Sequence, residues 1–523
     1  MNALPHFDLV FLVGLAATAM AVWGGLFAAR VGPAWTAAGV IVTAIFFGYP
    51  FVHWDVSPIP VTIDRLLWVV MVVQMVWRLR PGNRSANSSA SRVEDAFRER
   101  TGALGLASSD DRRGQGVSLG ESFPRWSVGR FHFHVPGADW VPYVWVGYLA
   151  FSAAVTVATG GDVQAAMSRW LFYYALPLGV YSALRTAQFN AKQVRGVLAA
   201  CVVLGCYLTL IALFETTGAR SWVFPRYIAS PDYAEFFGRA RGPLLNPIGN
   251  GVLLLLAWSA AWALWPDAAP RGRVVLIAAG CFLAIGLACT LTRSVWIAAG
   301  AAALWLLAGM VPARLRRRTA ATFVALAIVS GVLLSGRVLE LKRDRDLSAS
   351  AAAESVRLRP ILAAVAFRMA GDRPLFGFGL GQYDRAKLFY LSEREGPYPL
   401  ERARPYTQHN VFLSLLVETG GVGLAGFLLM LALWFRDAWR TVFGGRAGHE
   451  SRCAALLLGS VMIAYVVNGM FHDMSIIPQV HLVLFAAAGF SRSVISETTL
   501  PERSPAECRP LRSLGTIPAA MPA

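Results

Sequence analysis

A few side chains stand out by type and setting. A single imidazole, His409, lies in "PYTQHNVFLSLLVETGGVG" at the edge of a long apolar run, with Asn410 beside it and Glu418 further along. Arg239 and Arg241 lie in "RARGPLLNPIGN" and Arg293 in "LTRSVW", each where a polar stretch meets an apolar one. An imidazole titrates near neutrality and is suited to taking a proton from an attacking group. Guanidinium groups hold phosphate-type oxygens bidentately and stabilise negative charge as it develops. A lone arginine at such a boundary is ordinarily a snorkelling anchor, and a lone boundary histidine is ordinarily solvated. Placed together on one face, they fit a site for an anionic, lipid-linked headgroup. No His/Cys cluster with ligand spacing appears, so no metal and no cofactor is expected.

The elements that must position these residues are membrane helices. Of 523 residues, 56% are hydrophobic and 15% charged, and the mean hydropathy is +0.50. Apolar runs near the ~20 residues needed to cross a bilayer recur along the chain. The expected spans are about thirteen in number: 7–29, 35–54, 63–79, 140–159, 168–186, 194–215, 246–265, 273–292, 294–311, 319–336, 410–435, 453–471 and 476–491. Run 7–29 lacks a basic leader and is too long for the apolar part of a cleaved signal. The fold class is therefore all-α and polytopic. A net charge of +17 reads as basic cytoplasmic loops rather than as a nucleic-acid surface, because the charge is scattered among short connections.

Alternate connections separate by charge. One set holds Arg30, Arg78, Arg80, Lys192, Arg195, Arg271, Arg273, the "RLRRR" of 314–318, and Arg436, Arg440, Arg446 and Arg452, joined by Arg492, Arg503, Arg509 and Arg512 of the tail. The opposite short connections, 1–6, 55–62 and 472–475, have no Lys or Arg. The positive-inside rule then puts the N-terminus outside and the C-terminus inside. The expected organisation is N-terminal spans over 1–79, a polar, disordered cytoplasmic insertion over 80–139, and spans with Arg-bearing outer loops over 140–336. A large structured outer loop follows over 337–409, then spans over 410–491 and a cytoplasmic tail over 492–523. Within the outer loop, a helix is expected near Ala351–Ala370, before "RPLFGFGLGQY", whose Gly377, Gly379 and Gly381 suggest a tight backbone. Outer-facing helix starts favour anions through unpaired N–H groups and the macrodipole. Asn246 is expected to cap one such start and Ser294 another.

These residues resemble a family. "QHNVFLSLLVETGGVGLAGF" is similar to the His-Asn-x-x-Leu…Glu-x-Gly-x-x-Gly signature of the O-antigen ligase and O-antigen polymerase superfamily. "LTRSVWIA" resembles its Ser-Arg-Gly-x-Trp element, with Thr292 before the arginine and Ser294 after it. "RARGPLLNPIGNG" resembles its Arg-x-x-Gly…Asn-Pro-Asn element, with Ile248 at the last asparagine. "RPLFGFGLGQY" matches the Pro-Leu-x-Gly-x-Gly that precedes the family histidine. The resemblance covers roughly residues 190–490 in order, while the insertion at 80–139 and the odd span count depart from the usual twelve-span pattern.

The resemblance implies a GT-C-like membrane glycosyltransferase in the bacterial cytoplasmic (inner) membrane, with its active site on the periplasmic face. It implies transfer of a glycan from undecaprenyl diphosphate to an acceptor hydroxyl, inverting and metal-independent; the acceptor is a growing glycan, lipid A core or a protein. His409 is then the expected base, and Arg293 and Arg241 the expected catalytic arginines, with Arg239, Asn410 and Glu418 binding substrate. Glu418 is equally open to a structural reading ahead of Gly420 and Gly421. Two other classes stay open at this point, a lipid-linked oligosaccharide flippase or other transporter, and a non-enzymatic membrane scaffold. A transporter should carry charges deep in its helices and broken helices in matching halves.

Overall fold

A computed structural model describes residues 31–51, 61–79, 137–312, 349–391 and 399–498, apart from single positions inside them, with isolated positions between 314 and 325. The expected spans 7–29 and 319–336, nearly all of the 80–139 insertion and most of the 492–523 tail lie outside the described residues. Elsewhere each expected span falls on a helix. These are α1 (Pro33–Phe46), α2 (Ile63–Leu79), α3 (Val141–Ala158), α4 (Val163–Trp170), α5 (Leu176–Arg185), α6 (Ala191–Thr217), α7 (Pro247–Leu264), α8 (Pro270–Cys289) and α9 (Arg293–Met310). The 337–409 connection, expected to be an outer loop, supplies α10 (Ala349–Asp372), and α11 (Val411–Phe443), α12 (His449–Gly469) and α13 (Pro478–Thr498) follow. Seven of these, α3, α6, α7, α8, α9, α11 and α12, are long and apolar enough to cross a membrane. The protein is an all-α polytopic membrane protein.

Local sequence sets the helix limits. Asn190 caps α6 reciprocally with Gln193, and Gly218 ends it in the left-handed region at φ +83°. Asn246 caps α7 through the N–H groups of Ile248 and Gly249, with Pro247 at the first helical position as its fixed φ allows. One apolar core runs through α3, α6, α7, α9, α11, α12 and α13. A second, smaller core joins α10 to Val417 of α11 through Leu362, Val365, Ala366 and Met369. Small residues permit the closest approaches: a Cβ at Gly205 of α6 would lie 2.2 Å from that of Ala257 in α7.

The bundle has two poles. At one, Asp139, buried just before α3, receives Arg185 of α5 at 2.8 Å and also pairs with Arg492 of α13. Arg492 reaches Asp437 of α11 at 2.5 Å, so two carboxylates and two guanidiniums tie four helices together. The starts of α4, α7, α9, α11 and α13 gather at the opposite pole, with the ends of α3, α6, α8 and α12. This pole carries the residues singled out in the sequence.

Candidate active site

His409 is half-buried immediately before α11, its ring 6.3 Å from that of His472. Burial holds the imidazole below the ordinary histidine range, the Arg359 guanidinium of α10 pushes the same way, and Asp473 opposes. The neutral ring, the form a base must have, is thereby favoured. Asn410 is engaged by the protein itself. Its Oδ1 accepts from the N–H groups of Phe412 and Leu413 at 2.9 and 3.1 Å, and its Nδ2 donates to the Met470 carbonyl at 3.1 Å. It caps α11 and fastens that start to the end of α12, and so positions His409.

Glu418 lies about two and a half turns on from His409, only 1% exposed. Its carboxylate faces Arg169 of α4 at 3.3 Å. Arg169 also donates to Ser414 Oγ at 3.2 Å and to Ser475 Oγ at 2.5 Å, and approaches Asp473 at 3.7 Å. Asp473 in turn accepts from the Ser475 N–H at 2.9 Å. One guanidinium thus gathers α4, α11 and the α12–α13 turn beneath His409. Glu418 is enclosed in this cluster, which supports its structural reading.

Next to Glu418, α11 is broken. Gly420 stands at φ 68° and ψ −173°, backbone that only glycine adopts without strain. The break frees N–H and C=O groups, and the glycine-rich turn of the outer loop takes them up. Phe378 and Gly379 donate to the carbonyls of Val417 and Glu418, while Gly421 and Val422 donate to those of Pro374 and Leu375. Tyr148 of α3 donates to the remaining Thr419 carbonyl at 2.6 Å. Gly377, Gly379 and Gly381 all have positive φ, as the tight backbone suggested. The turn is further seated on the α3–α4 junction, where Gln382 exchanges hydrogen bonds with the Asp162 backbone at 2.8 and 3.1 Å.

The three arginines differ. Arg293 is exposed at the first position of α9. Thr292, not Ser294, occupies the N-cap, and Ser294 is buried, because the helix begins two residues earlier than the cap expectation required. Arg239 is buried and donates to the Thr290 carbonyl at 3.2 Å and to Thr292 Oγ1 at 2.5 Å, fixing the α8–α9 turn that presents Arg293. Arg241 is 1% exposed. Its guanidinium meets Glu215 at 3.4 Å, donates to the Glu235 carbonyl at 2.7 Å and to the carbonyls of Tyr233 and Ile228, and lies 4.1 Å from the centre of the Phe237 ring. Of the three arginines expected at the site, Arg241 and Arg239 face inward and Arg293 is exposed. A long outer connection able to bury an arginine on its own carbonyls is not visible in residue spacing.

Arg169 and Arg359 were not singled out. Arg169 had a signal, since it stands near the start of an expected span, where an ionisable residue asks for a partner. Arg359 had none beyond being one basic residue among many in the outer loop. Among the described residues no group of three or more His, Cys, Asp or Glu is placed to hold a metal.

Residues 277–428 match the family described as O-antigen ligase. That stretch, less than a third of the chain, is similar to the family. No curated protein matches the chain significantly. The matched stretch contains Arg293, α10, the glycine-rich turn, His409, Asn410 and the α11 break, and so supplies part of this pole. Arg169, Arg239, Arg241 and Asp473 lie outside it and come to the pole only through the fold. The coarse assignment follows from the match together with the seven apolar helices: glycan transfer of the O-antigen ligase or polymerase type by a multi-pass membrane protein.

Proposed function

We propose that the protein moves a glycan from undecaprenyl diphosphate to an acceptor hydroxyl at the periplasmic face of a bacterial inner membrane, inverting the anomeric carbon without a metal. The observation that carries this reading is His409, half-buried at the outer-pole start of α11 with its neutral form favoured, above a buried cluster that fixes its helix. His409 accepts the acceptor's proton as the hydroxyl oxygen bonds to the anomeric carbon. The bond from that carbon to the phosphate oxygen breaks, and its electron pair leaves with the diphosphate. Arg293 and the unpaired N–H groups at the start of α9 meet that charge. Arg239 and Arg241 act one step back, by shaping the turn that carries Arg293 and the connection before α7. Asn410 and Glu418 hold α11.

A transporter should show deep charges and broken helices. The chain has a buried charged cluster at Glu418 and a break at Gly420, but loop backbone closes the break and Arg169 closes the carboxylate. The test offers purified protein in nanodiscs a defined undecaprenyl diphosphate glycan with each acceptor in turn, in EDTA, and reads the product's anomeric configuration. Retention of configuration, or movement of the donor between leaflets of liposomes without transfer to any acceptor, refutes the proposal.

A further inference from the structure

The outer loop does not stay at the outer surface. Arg359, in α10, lies over the Phe471 ring at 5.6 Å, level with the end of α12. From there α10 descends to Asp372, and Pro374 pairs with Gly421. Gly421 is eleven residues past Asn410, about 16 Å down α11 at ~1.5 Å rise per residue. Two spans fix that depth separately. Asn410 is fastened to Met470 at the end of α12, so the first turns of α11 run beside α12 rather than above it. Tyr148, which holds the Thr419 carbonyl, lies ten residues short of the end of α3, a comparable depth of about 15 Å.

The side chains agree with that depth. Between Arg359 and Arg368 the helix has no charged residue, and its exposed positions from 360 on are Pro360, Phe367, Gly371 and, at its end, Asp372. A helix face turned to water would be polar. Phe367, Leu375 and Phe376 are 60%, 61% and 63% exposed. They continue the exposed apolar belt of Val422 on α11 and Phe151 on α3, both in candidate spans. The charges at the turn are engaged locally, Asp372 by the Tyr390 hydroxyl and Arg373 over the Phe378 ring at 4.8 Å. Irregular backbone at bilayer depth requires its polar groups to be met by protein. The four hydrogen bonds across the α11 break meet that requirement.

We propose that residues 360–376 form a re-entrant element whose Phe367, Leu375 and Phe376 side chains lie among phospholipid acyl chains in the leaflet on the active-site side. The partner is bulk lipid, because the surface continues the lipid-facing belt of the spans. The test uses the full chain in nanodiscs of phosphatidylethanolamine and phosphatidylglycerol, with photoreactive benzoylphenylalanine replacing Phe376 or, separately, Phe367. Phe151 is the position for a lipid-facing reference and Arg404, exposed in the outer loop, for a water-facing one. Irradiation should give phospholipid adducts at 376 and 367 in yields matching 151, and none at 404. No lipid adduct at 376 and 367 in preparations that give one at 151 overturns the proposal. A crosslink to a second copy of the chain in place of lipid overturns it equally.

Discussion

Gly420→Ala tests the pairing between the outer loop and α11 most sharply. A Cβ at this position would lie 2.1 Å from the Leu375 carbonyl oxygen and 2.4 Å from the Phe376 nitrogen, both backbone atoms that no rotamer change can move aside. The φ of 68° with ψ of −173° adds strain of about 1–3 kcal/mol for any residue with a side chain. Relieving the contact means parting the two segments by more than an ångström, which breaks four backbone hydrogen bonds. At roughly 1 kcal/mol net each, the bonds and the strain come to about 5–7 kcal/mol. The chain avoids the full cost by letting the turn detach while the helices persist. Hydrogen exchange should therefore show protection lost over 374–382 and 417–422 but kept in α7 and α12. Glycan transfer should collapse with it, because α10 and Arg359 move with the turn. Gly300→Ala, where nothing lies within 4 Å, is the control and should be neutral. A Gly420→Ala protein with wild-type protection in the turn and wild-type transfer would refute the account of the break.

Four further outcomes are expected. His409→Ala should lose roughly 10²–10⁴-fold in transfer rate while retaining undecaprenyl diphosphate binding, measured by single-turnover transfer and donor retention. Because burial and Arg359 lower the His409 pKa, the acid limb of the rate profile should fall below the ordinary histidine range; Arg359→Gln removes one lowering influence, so the limb should move to higher pH. Arg169→Ala strands the Glu418 carboxylate in the bundle and should destabilise by about 3–5 kcal/mol in detergent melting, with Arg169→Ala/Glu418→Gln recovering part. Arg293→Ala should abolish transfer at unchanged melting temperature, with Arg293→Lys also impaired, whereas Arg241→Ala should lower the melting temperature because its buried partners lose their donor.

The spans were legible because bilayer length and apolar composition are local properties. The 273–292 and 294–311 runs, almost touching, resolve into Pro270–Cys289 and Arg293–Met310. Gly420 and the three glycines of the outer loop were readable as special backbone. Their pairing was not, since it joins segments forty residues apart through main-chain atoms that carry no sequence signature. Arg239 and Arg241 show the limit from the other side. The same guanidinium can face a diphosphate or its own chain's carbonyls, and only the path of residues 226–246 decides. Arg169 was readable in principle, as a charge in an apolar run, but its partners Glu418 and Asp473 are hundreds of positions away.

Asp139 marks where the chain re-enters the bundle after the stretch that follows Leu79, and it is held there by Arg185 and Arg492. That anchor lies at the pole opposite His409. Lengthening even a fully flexible connection twofold costs only about 0.6 kcal/mol. The protein thus has a place where sequence can be gained, lost or exchanged, for a tag or a recruitment module, with no strain transmitted to the outer pole. Evolution and the protein engineer have the same free port.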